Sequence, residues 1–404
     1  MTVVISALGT RGDVAPMLAL GRELASRGHD IVVSAPPGFE ADAALAGVRY
    51  EPTGLDPSAS LQSWGAPGEK ISAMEMNRRL KAHREAEAAA QFDALVPLAE
   101  GASLVLGAGL PLAARSVAEA NGVQYRYVGY CPQALPSTEN PPVGMPWVRS
   151  RILTRAMWAA NAGVGRILAG TVNPYRARLG LPPLRDAFAH ALGRDARPLI
   201  AADPELAPLP GDCAWSVTQT SAIAPLDIGA LSDATVAFLD AGEPPVYVGF
   251  GSMVAEQSGR LADETFAALA AVRARALVAP ALLPAVPPAG VAALGAYEPH
   301  GALFPRVAAV VHHGGAGTFF AAARAGVPQV IVTHGWDQEY FGRRVAALGI
   351  GPAPLHVKRL HPGALADALR LALTPGCAAR AREVAAILEG RNGAREAADA
   401  LLGE

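Results

Sequence analysis

The sequence predicts an α/β protein built from two doubly wound parallel-sheet domains, and three observations support this. The chain has 404 residues, which suits two domains of about 100 to 200 residues each better than one core. Short β-branched runs alternate with segments of helical periodicity, the pattern of a parallel sheet covered by helices. The alternation begins again after residue 243, so we expect a second sheet.

The first set of elements opens with TVVISAL (2–8), a β-branched strand bounded by glycine. APMLALGRELASRG (15–28) has apolar residues at helical spacing and ends at glycine, a common helix stop. HDIVVSAP (29–36) is the next strand. SLVLGAG (103–109) and QYRYVGY (124–130) continue the alternation, which predicts a βαβ sheet.

The second set consists of strand-like runs that each end in turn residues, with helical segments between them. The predicted strands are PPVYVGFGS (244–252), RALVAP (275–280), VAALGAY (291–297), VAAVVHHG (307–314) and PQVIVTHG (328–335). The predicted helices include TFFAAARAG (318–326) and QEYFGRRVAALG (338–349).

The segment between the two sets, residues 201–243, is rich in proline and aspartate, as interdomain connections often are. We therefore predict a first domain over residues 1–206, a linker over 207–215 and a second domain over 216–385. Residues 386–404 form a predicted terminal helix.

Composition excludes several classes of protein. The formal net charge of −2 provides no basic footprint for nucleic acid. Apolar residues never extend over the roughly 18 to 20 positions that a membrane span requires. The N-terminus lacks a basic lead and a cleavage site, so we expect a cytoplasmic protein rather than a secreted one. Cys131, Cys213 and Cys377 are widely spaced, which argues against a disulfide framework and a cysteine metal site.

Ligands of doubly wound sheets bind beyond the carboxyl ends of the strands, so the turns there should carry the chemistry. HHGGAGT (312–318) lies between a strand and a helix, where backbone amides suit phosphate. Close helix packing also selects glycine, so that alternative remains open. The sequence has no P-loop, and its first turn lacks the dinucleotide fingerprint.

Four segments make the chain resemble a known family: GTRGDVAPMLALGRELASRGHDI, PPVYVGFGSM, FPRVAAVVHHGGAGTFFAAARAGVPQVIV and DQEYFGRRVAALGIG. NPYRARLGLPPL is a fifth. They are similar to the inverting, nucleotide-sugar-dependent glycosyltransferases of the GT-B class, which include plant, antibiotic and sterol enzymes. The resemblance implies two facing Rossmann-like domains, with the acceptor bound mainly by the first, the donor mainly by the second and reaction in the cleft. It also implies that the terminal helix, 386–404, crosses back onto the first domain.

The resemblance implies that Asp13 is the general base. It stands three residues before Pro16, where many relatives carry a histidine, and a carboxylate can accept the proton of an acceptor hydroxyl. Partial desolvation should raise its pKa. An aspartate at this place also suits a cap of the following helix, and the two roles are compatible.

The resemblance also implies the donor site. His312 is expected to contact a phosphate oxygen, Asp337 and Gln338 to bind the sugar, and Tyr297 to stack on the base. The residues leave other roles open: a helix cap for the Asp337 pair and an edge-of-core position for Tyr297. For His313, packing under the loop and a ligand contact both remain open. Gly317 replaces a serine of the plant enzymes. The predicted donor-binding residues are Thr10, Gly12, Gly251, Ser252, Tyr297, His312, Gly314, Gly315, Ala316, Gly317, Thr318, Asp337 and Gln338.

For the acceptor we expect an apolar lining from two irregular segments of the first domain. Its candidates are Trp64, Met74, Met76 and Trp147, for which interior packing is the alternative. The segment 147–158 places arginines among apolar residues, which also fits an amphipathic helix at a membrane surface, although a solvated helix face is commoner.

The predicted activity is inverting transfer of a hexose from a UDP- or dTDP-sugar to a lipophilic small-molecule hydroxyl, without a metal or other cofactor. The alternatives are a sterol or lipid glucosyltransferase at the membrane surface, a nucleotide-sugar 2-epimerase, and a non-catalytic nucleotide-sugar-binding protein. Both monomer and homodimer remain open.

Overall fold

The structure is a computed structural model that describes residues 1–55, 72–226, 229–251, 258–284, 287–295 and 298–403. The chain divides into two compact units. The first comprises Met1–Leu226 together with Asn392–Glu404, and the second comprises Asp227–Arg391.

The first unit contains a seven-stranded sheet in which every described pairing is parallel, as predicted. Its strands are β1 (Thr2–Leu8), β2 (Asp30–Ala35), β3 (Arg49–Pro52), β4 (Leu104–Gly109), β5 (Gln124–Gly129), β6 (Leu199–Ala201) and β7 (Thr218–Thr220). They lie in the order β3-β2-β1-β4-β5-β6-β7. The order reverses direction between β1 and β4, which makes the fold doubly wound.

Helices cover both faces of this sheet. They are α1 (Arg11–Ser26), α2 (Glu40–Ala46), α3 (Ala73–Leu98), α4 (Ala114–Ala120), α5 (Arg151–Arg178) and α6 (Ala187–Ala191), with α14 (Gly393–Leu402) from the end of the chain. Because strand side chains alternate between faces, Val3 and Ile5 of β1 join the core formed with α1 and α14, whereas Val4 joins the core beneath α3 and α5.

The predicted linker, 207–215, lies inside the first unit. The strands on either side of it, β6 and β7, pair with each other in the first sheet, so the segment between them stays in the first unit. The paired residues are Leu199 with Thr218, Ile200 with Gln219, and Ala201 with Thr220. Both strands have only three residues, too few for an alternating pattern to show in the sequence. The first unit therefore extends to Leu226 rather than ending at residue 206.

The second unit contains a six-stranded parallel sheet in the order β10-β9-β8-β11-β12-β13. Its strands are β8 (Val246–Gly249), β9 (Ala276–Val278), β10 (Val291–Ala293), β11 (Ala309–His312), β12 (Gln329–Thr333) and β13 (Leu355–His356). Its helices are α7 (Asp233–Asp240), α8 (Ser258–Val272), α9 (His300–Leu303), α10 (Ala316–Arg324), α11 (Gln338–Leu348), α12 (Pro362–Ala372) and α13 (Pro375–Ile387). All five strands predicted for this half are confirmed.

Buried aliphatic side chains fill both faces of the second sheet. Val246 and Val248 of β8 pack in one cluster with α8 and α12, whereas Tyr247 between them packs in the opposite cluster with Phe304. The sheet is therefore held rigidly, and the turns that follow β8, β11 and β12 emerge from a fixed edge. Across the part of the chain that the structure describes, no helix combines the length and apolarity needed to cross a bilayer.

The last helix, α14, belongs to the first unit. Arg27 at the end of α1 forms an ion pair of 2.6 Å with Asp399. Glu396 accepts hydrogen bonds from the backbone amide and the hydroxyl of the buried Ser221, at 2.8 and 2.9 Å. A Cβ at Gly393, the first residue of α14, would overlap the Ala222 carbonyl, so only glycine allows this approach.

Replacing Glu396 by alanine should destabilise the first unit, because it removes the carboxylate that accepts hydrogen bonds from the amide and the hydroxyl of the buried Ser221. We expect the free energy of unfolding to fall by about 1–3 kcal/mol. Four of the five tryptophans lie in the residues of the first unit, so urea unfolding followed by tryptophan fluorescence reports it. Glu383→Ala removes only an exposed partner of Arg380 and should change stability by less than about 1 kcal/mol. Equal effects of the two substitutions would contradict this role of Glu396.

Candidate functional site

Each sheet has one point where its strand order reverses, and ligands of such sheets bind at the carboxyl ends of the strands there. In the first unit this point lies between β1 and β4, and in the second between β8 and β11. The sequence-predicted residues Asp13, Gly251 and His312 all lie in or next to the turns at these points.

Asp13 lies in the first turn of α1. The helix begins at Arg11, earlier than the predicted residue 15, with Thr10 as its N-cap residue. The Asp13 carboxylate accepts a hydrogen bond of 2.9 Å from the Thr10 amide, and the Thr10 hydroxyl lies 3.4 Å from the same oxygen. Asp13 is therefore not the N-cap itself, but its carboxylate bonds to the N-cap residue from the third position of the helix. This contact fixes the position of the carboxylate.

Two glycines bring the β1 and β4 turns close to this carboxylate. Gly9 has φ of +139°, and a Cβ there would overlap the Asp13 carboxylate. Gly109, the last residue of β4, has φ of +69°; a Cβ there would overlap the Leu8 carbonyl and lie 3.5 Å from Asp13 Oδ1. Asp13 thus lies where β1 and β4 diverge.

Tyr130 supports Asp13 from the next strand and was missed by the sequence analysis. It directly follows β5, and its hydroxyl donates a hydrogen bond of 2.8 Å to the Asp13 carbonyl oxygen. Burial, with the nearby Asp13 charge as a further cause, holds the pKa of Tyr130 well above its usual value. The only sequence signal was its place at the carboxyl end of a predicted strand.

The partly buried surroundings of Asp13 make its carboxyl less acidic than usual. Loss of hydration raises its pKa to about 6, and the hydrogen bonds from Thr10 only partly oppose this rise. The group is therefore mostly ionised at pH 7.5 and is more basic than an exposed aspartate. This is the pKa expected of a general base that works near neutral pH.

In the second unit, the loop after β11 presents the uncapped end of a helix. Gly315 is the N-cap of α10 and has no side chain to cap it. The amides of Ala316, Gly317 and Thr318 meet no acceptor within the described residues. Three free donors and the positive end of the helix dipole form a site suited to phosphate.

Gly314 allows this loop to approach β12 and α11. Its φ is +93°, and a Cβ there would lie 2.8 Å from Ile331 Cγ2 and 3.1 Å from the Gln338 carbonyl oxygen. Its amide donates a hydrogen bond to His312 Nδ1 at 3.1 Å. A side chain at this position would therefore displace the loop or the first residue of α11.

His312 lies beneath the loop rather than at its surface. The ring is fully buried, its Nδ1 accepts from Gly314 and its Nε2 lies 3.0 Å from Gln329 Oε1. Gln329 Nε2 in turn donates to the Phe319 carbonyl. Since both ring nitrogens are bonded inside the protein, the structure does not bring His312 to a phosphate oxygen, contrary to our expectation.

His313 occupies the position that we expected for His312. Its ring lies between the two glycine turns: a Cβ at Gly251 would be 3.2 Å from its Cε1, and one at Gly315 would be 2.5 Å from its Nε2. His313 Nδ1 has no hydrogen-bond partner among the described residues. Burial, aided by the neighbouring His334, lowers its pKa to about 4, so the ring is neutral at pH 7.

The predicted sugar-binding pair follows β12. Asp337 is the N-cap residue of α11 and is partly exposed. Gln338 is buried, and its side-chain oxygen accepts from the amides of His334 and Gly335 at 2.6 and 3.2 Å. This oxygen holds the turn and is not available to a sugar. The predicted sugar contact is therefore corrected for the Gln338 side-chain oxygen. Trp336 beside it is 63% exposed with φ of +58°.

The remaining predicted residues have different outcomes. Thr10 and Gly12 are exposed at the start of α1, and Met74 and Met76 lie in the first turn of α3, with Met74 exposed. Trp147 lies half-buried in the coil before α5.

Ser252, Tyr297 and Trp64 lie outside the described residues, so their predicted roles stay predictions. Within the described ranges, no group of three or more metal-ligating side chains is placed to hold an ion.

Comparison with known proteins identifies two family domains. The Glycosyltransferase family 28 N-terminal domain matches residues 3–137. The C-terminal domain described as Erythromycin biosynthesis protein CIII-like matches residues 255–398.

Full-length relatives extend the match to the whole chain. A vancomycin aglycone glucosyltransferase from Amycolatopsis orientalis is 38% identical, covering 100% of this chain and 97% of that protein. A dTDP-epi-vancosaminyltransferase from the same organism is 35% identical, covering 95% and 93%. Among solved structures, the glycosyltransferase VinC in complex with dTDP has a TM-score of 0.71 at 23% identity, covering 100% and 99%. The fold is therefore GT-B.

Gly314→Ala should destabilise the second unit, because it forces an alanine into the left-handed region and against Ile331. We expect a loss of about 2–4 kcal/mol in the free energy of unfolding. Gly317→Ala is the matched control, since a Cβ there meets nothing within 4 Å, and it should be neutral or slightly stabilising. Thermal unfolding of both variants measures the difference, and equal Tm values would contradict the described loop geometry.

Proposed function

Because the chain belongs to the glycosyltransferase family of antibiotic biosynthesis, we propose that it is an inverting, metal-independent transferase with Asp13 as general base. It moves a hexose from a UDP- or dTDP-sugar to a hydroxyl of a lipophilic natural-product aglycone. The observation that carries the proposal is the position of the Asp13 carboxylate, at the point of the first sheet where the strand order reverses. Thr10 holds this carboxylate by a hydrogen bond, and loss of hydration raises the pKa of Asp13 to about 6.

The reaction is a single displacement. Asp13 takes the proton of the acceptor hydroxyl while the acceptor oxygen attacks the anomeric carbon. The bond from that carbon to the diphosphate oxygen breaks, and the electron pair leaves with the nucleoside diphosphate. Attack from the face opposite the leaving group inverts the anomeric centre, so an α-linked donor yields a β-glycoside.

The second unit holds the leaving group. The free amides of Ala316, Gly317 and Thr318 and the dipole of α10 stabilise the charge that develops on the diphosphate. His313 is neutral at pH 7 and donates a ring N–H to a phosphate oxygen from beside Gly315. We assign to His313 the contact first expected for His312. These neutral donors replace a metal ion in this role.

The donor and acceptor classes rest on the relatives. The names of two matched proteins include dTDP, and a third acts on vancomycin aglycone. Donor hydroxyls would be bound by the partly exposed Asp337, next to the exposed indole of Trp336. Thr10 and Gly12 are exposed at the start of α1, and we assign them to donor binding as well.

The decisive experiment incubates the protein with UDP-glucose or dTDP-glucose and a panel of aromatic and glycopeptide aglycones. Release of nucleoside diphosphate together with an aglycone whose mass has increased by one hexose supports the proposal. A changed sugar without acceptor would indicate an epimerase, and binding without turnover would indicate an auxiliary protein. Activity should persist in EDTA, and a loss that Mg²⁺ or Mn²⁺ restores would overturn metal independence.

Asp13→Asn should lower kcat by about 100- to 10,000-fold, since the amide cannot accept the proton. Nucleoside diphosphate binding, measured by calorimetry, should remain.

The stability of the same variant is the control. The folded pKa of Asp13 lies above its unfolded value, so ionisation of Asp13 lowers the free energy of unfolding as pH rises from about 4 through about 6. At pH 7.5 the variant should therefore unfold at the same Tm or higher, which separates lost catalysis from lost folding. Turnover near the wild-type rate would refute the role of Asp13.

The pH dependence of kcat/KM tests the same carboxylate. Activity requires ionised Asp13, so kcat/KM should rise through an apparent pKa of about 6 and level off above pH 7. An ordinary carboxylate would level off near pH 5. Because the Thr10 hydroxyl lowers the pKa of Asp13, Thr10→Val should move the rise to higher pH. A profile that is flat from pH 5 to 8 would contradict the assignment.

A further inference from the structure

The segment around α5 has an unbalanced charge. Residues 140–185 contain seven arginines and no aspartate, glutamate or lysine, in a chain whose formal net charge is −2. The whole segment belongs to the described residues, and α5 occupies Arg151–Arg178 within it. The proposed transfer reaction uses none of these arginines.

The outer face of α5 is aliphatic. Ile152, Ala156, Ala159, Gly163 and Ile167 follow one another at intervals of four, three, four and four residues, which places them on one side of a helix. Ile152 is 82% exposed and Ile167 is 57% exposed. These residues, of which Gly163 contributes only backbone, form an aliphatic stripe, which Leu153 and Val164 widen along one edge with 54% and 44% exposure.

Arginines border the other edge of this stripe. Arg151, Arg155 and Arg166 are exposed and form no ion pair among the described residues. The charge of Arg151 acts on Asp212 and contributes to lowering the pKa of that carboxyl. Two of the three lie at the N-terminal end of α5, where positive charge opposes the helix dipole. Their placement costs helix stability, which is consistent with a role toward a partner outside the chain.

The orientation of α5 is determined by its inner face. Thr154, Gly165, Leu168 and Val172 are buried, and Leu168 and Val172 belong to the core beneath α3 and α4. Ser150 caps the helix by accepting from the Leu153 amide. The aliphatic stripe and the arginines are therefore held outward together by the packing of the first unit.

We propose that this face of α5 docks on an anionic lipid surface, with the helix lying parallel to the bilayer. The aliphatic stripe enters the boundary of the acyl chains, while Arg151, Arg155 and Arg166 pair with headgroup phosphates. A protein partner is the weaker reading, because protein interfaces are enriched in aromatic residues at their centre, whereas this face is aliphatic and bordered by charge of one sign. The inference does not depend on the proposed transfer reaction.

The test is co-sedimentation of the full chain with vesicles of phosphatidylcholine alone or mixed with phosphatidylglycerol. We expect binding to the anionic vesicles only, and weaker binding as salt rises. Ile152→Ser combined with Ile167→Ser should lower the partition coefficient by about tenfold. Arg155→Gln should lower it by about fivefold, the value of one arginine near an anionic surface.

Matched controls come from the second unit. Ile387 is a 51% exposed isoleucine at the end of α13, and Arg359 is an exposed arginine. Ile387→Ser and Arg359→Gln should leave vesicle binding unchanged.

Absence of binding to anionic vesicles would overturn the proposal, as would equal binding to neutral ones. It would also fail if the Ile152 and Ile167 substitutions changed the sedimentation coefficient without lipid, because the face would then join copies of the chain. The assay contains no sugar donor, so its outcome does not bear on transferase activity.

Discussion

The site depends on how the free amides at the start of a helix are satisfied. The first turn of each α-helix leaves backbone N–H groups without intrahelical partners, and these favour negative charge. In the first unit a carboxylate of the protein itself, Asp13, lies in that turn and accepts from Thr10. In the second unit the N-cap of α10 is Gly315, which has no side chain, and the first turn of that helix holds no acidic residue, so the amides stay available for a ligand. One helix end thus holds a carboxylate of the chain itself, and the other is open to an anion.

Buried polar contacts keep both helix ends in place. Tyr130 fixes the Asp13 backbone from β5, and the chain from Gly314 through His312 and Gln329 to the Phe319 carbonyl fixes the loop before α10. Loss of hydration shifts the pKa of Asp13 and that of His312 in opposite directions, because burial disfavours the charged form of each. The same burial therefore makes the carboxylate more basic and keeps the imidazole neutral.

Glycines decide how closely the turns approach one another. Gly9 and Gly109 adopt positive φ and leave room for the Asp13 carboxylate. Gly314 also adopts positive φ, and its missing side chain lets the loop before α10 pack against Gln338. The sheets position these turns, since every described strand of each sheet runs parallel to its neighbours and the strands end at one edge. The geometry of the turns in each unit is thus a consequence of sheet order together with a few backbone positions that exclude side chains.

The sequence alone determined the α/β class, two sheets, the longer strands and the motif-bearing turns, because hydrophobic periodicity and turn residues are local properties. Tertiary structure decided what depends on distant contacts. Strands β6 and β7 are identified only by their pairing with each other and with the sheet. This pairing places the end of the first unit at Leu226 rather than at the predicted residue 206. His312 and His313 are adjacent and chemically alike, so only the tertiary contacts show that His312 is fully buried against Gln329, whereas His313 is partly exposed beside the two glycine turns.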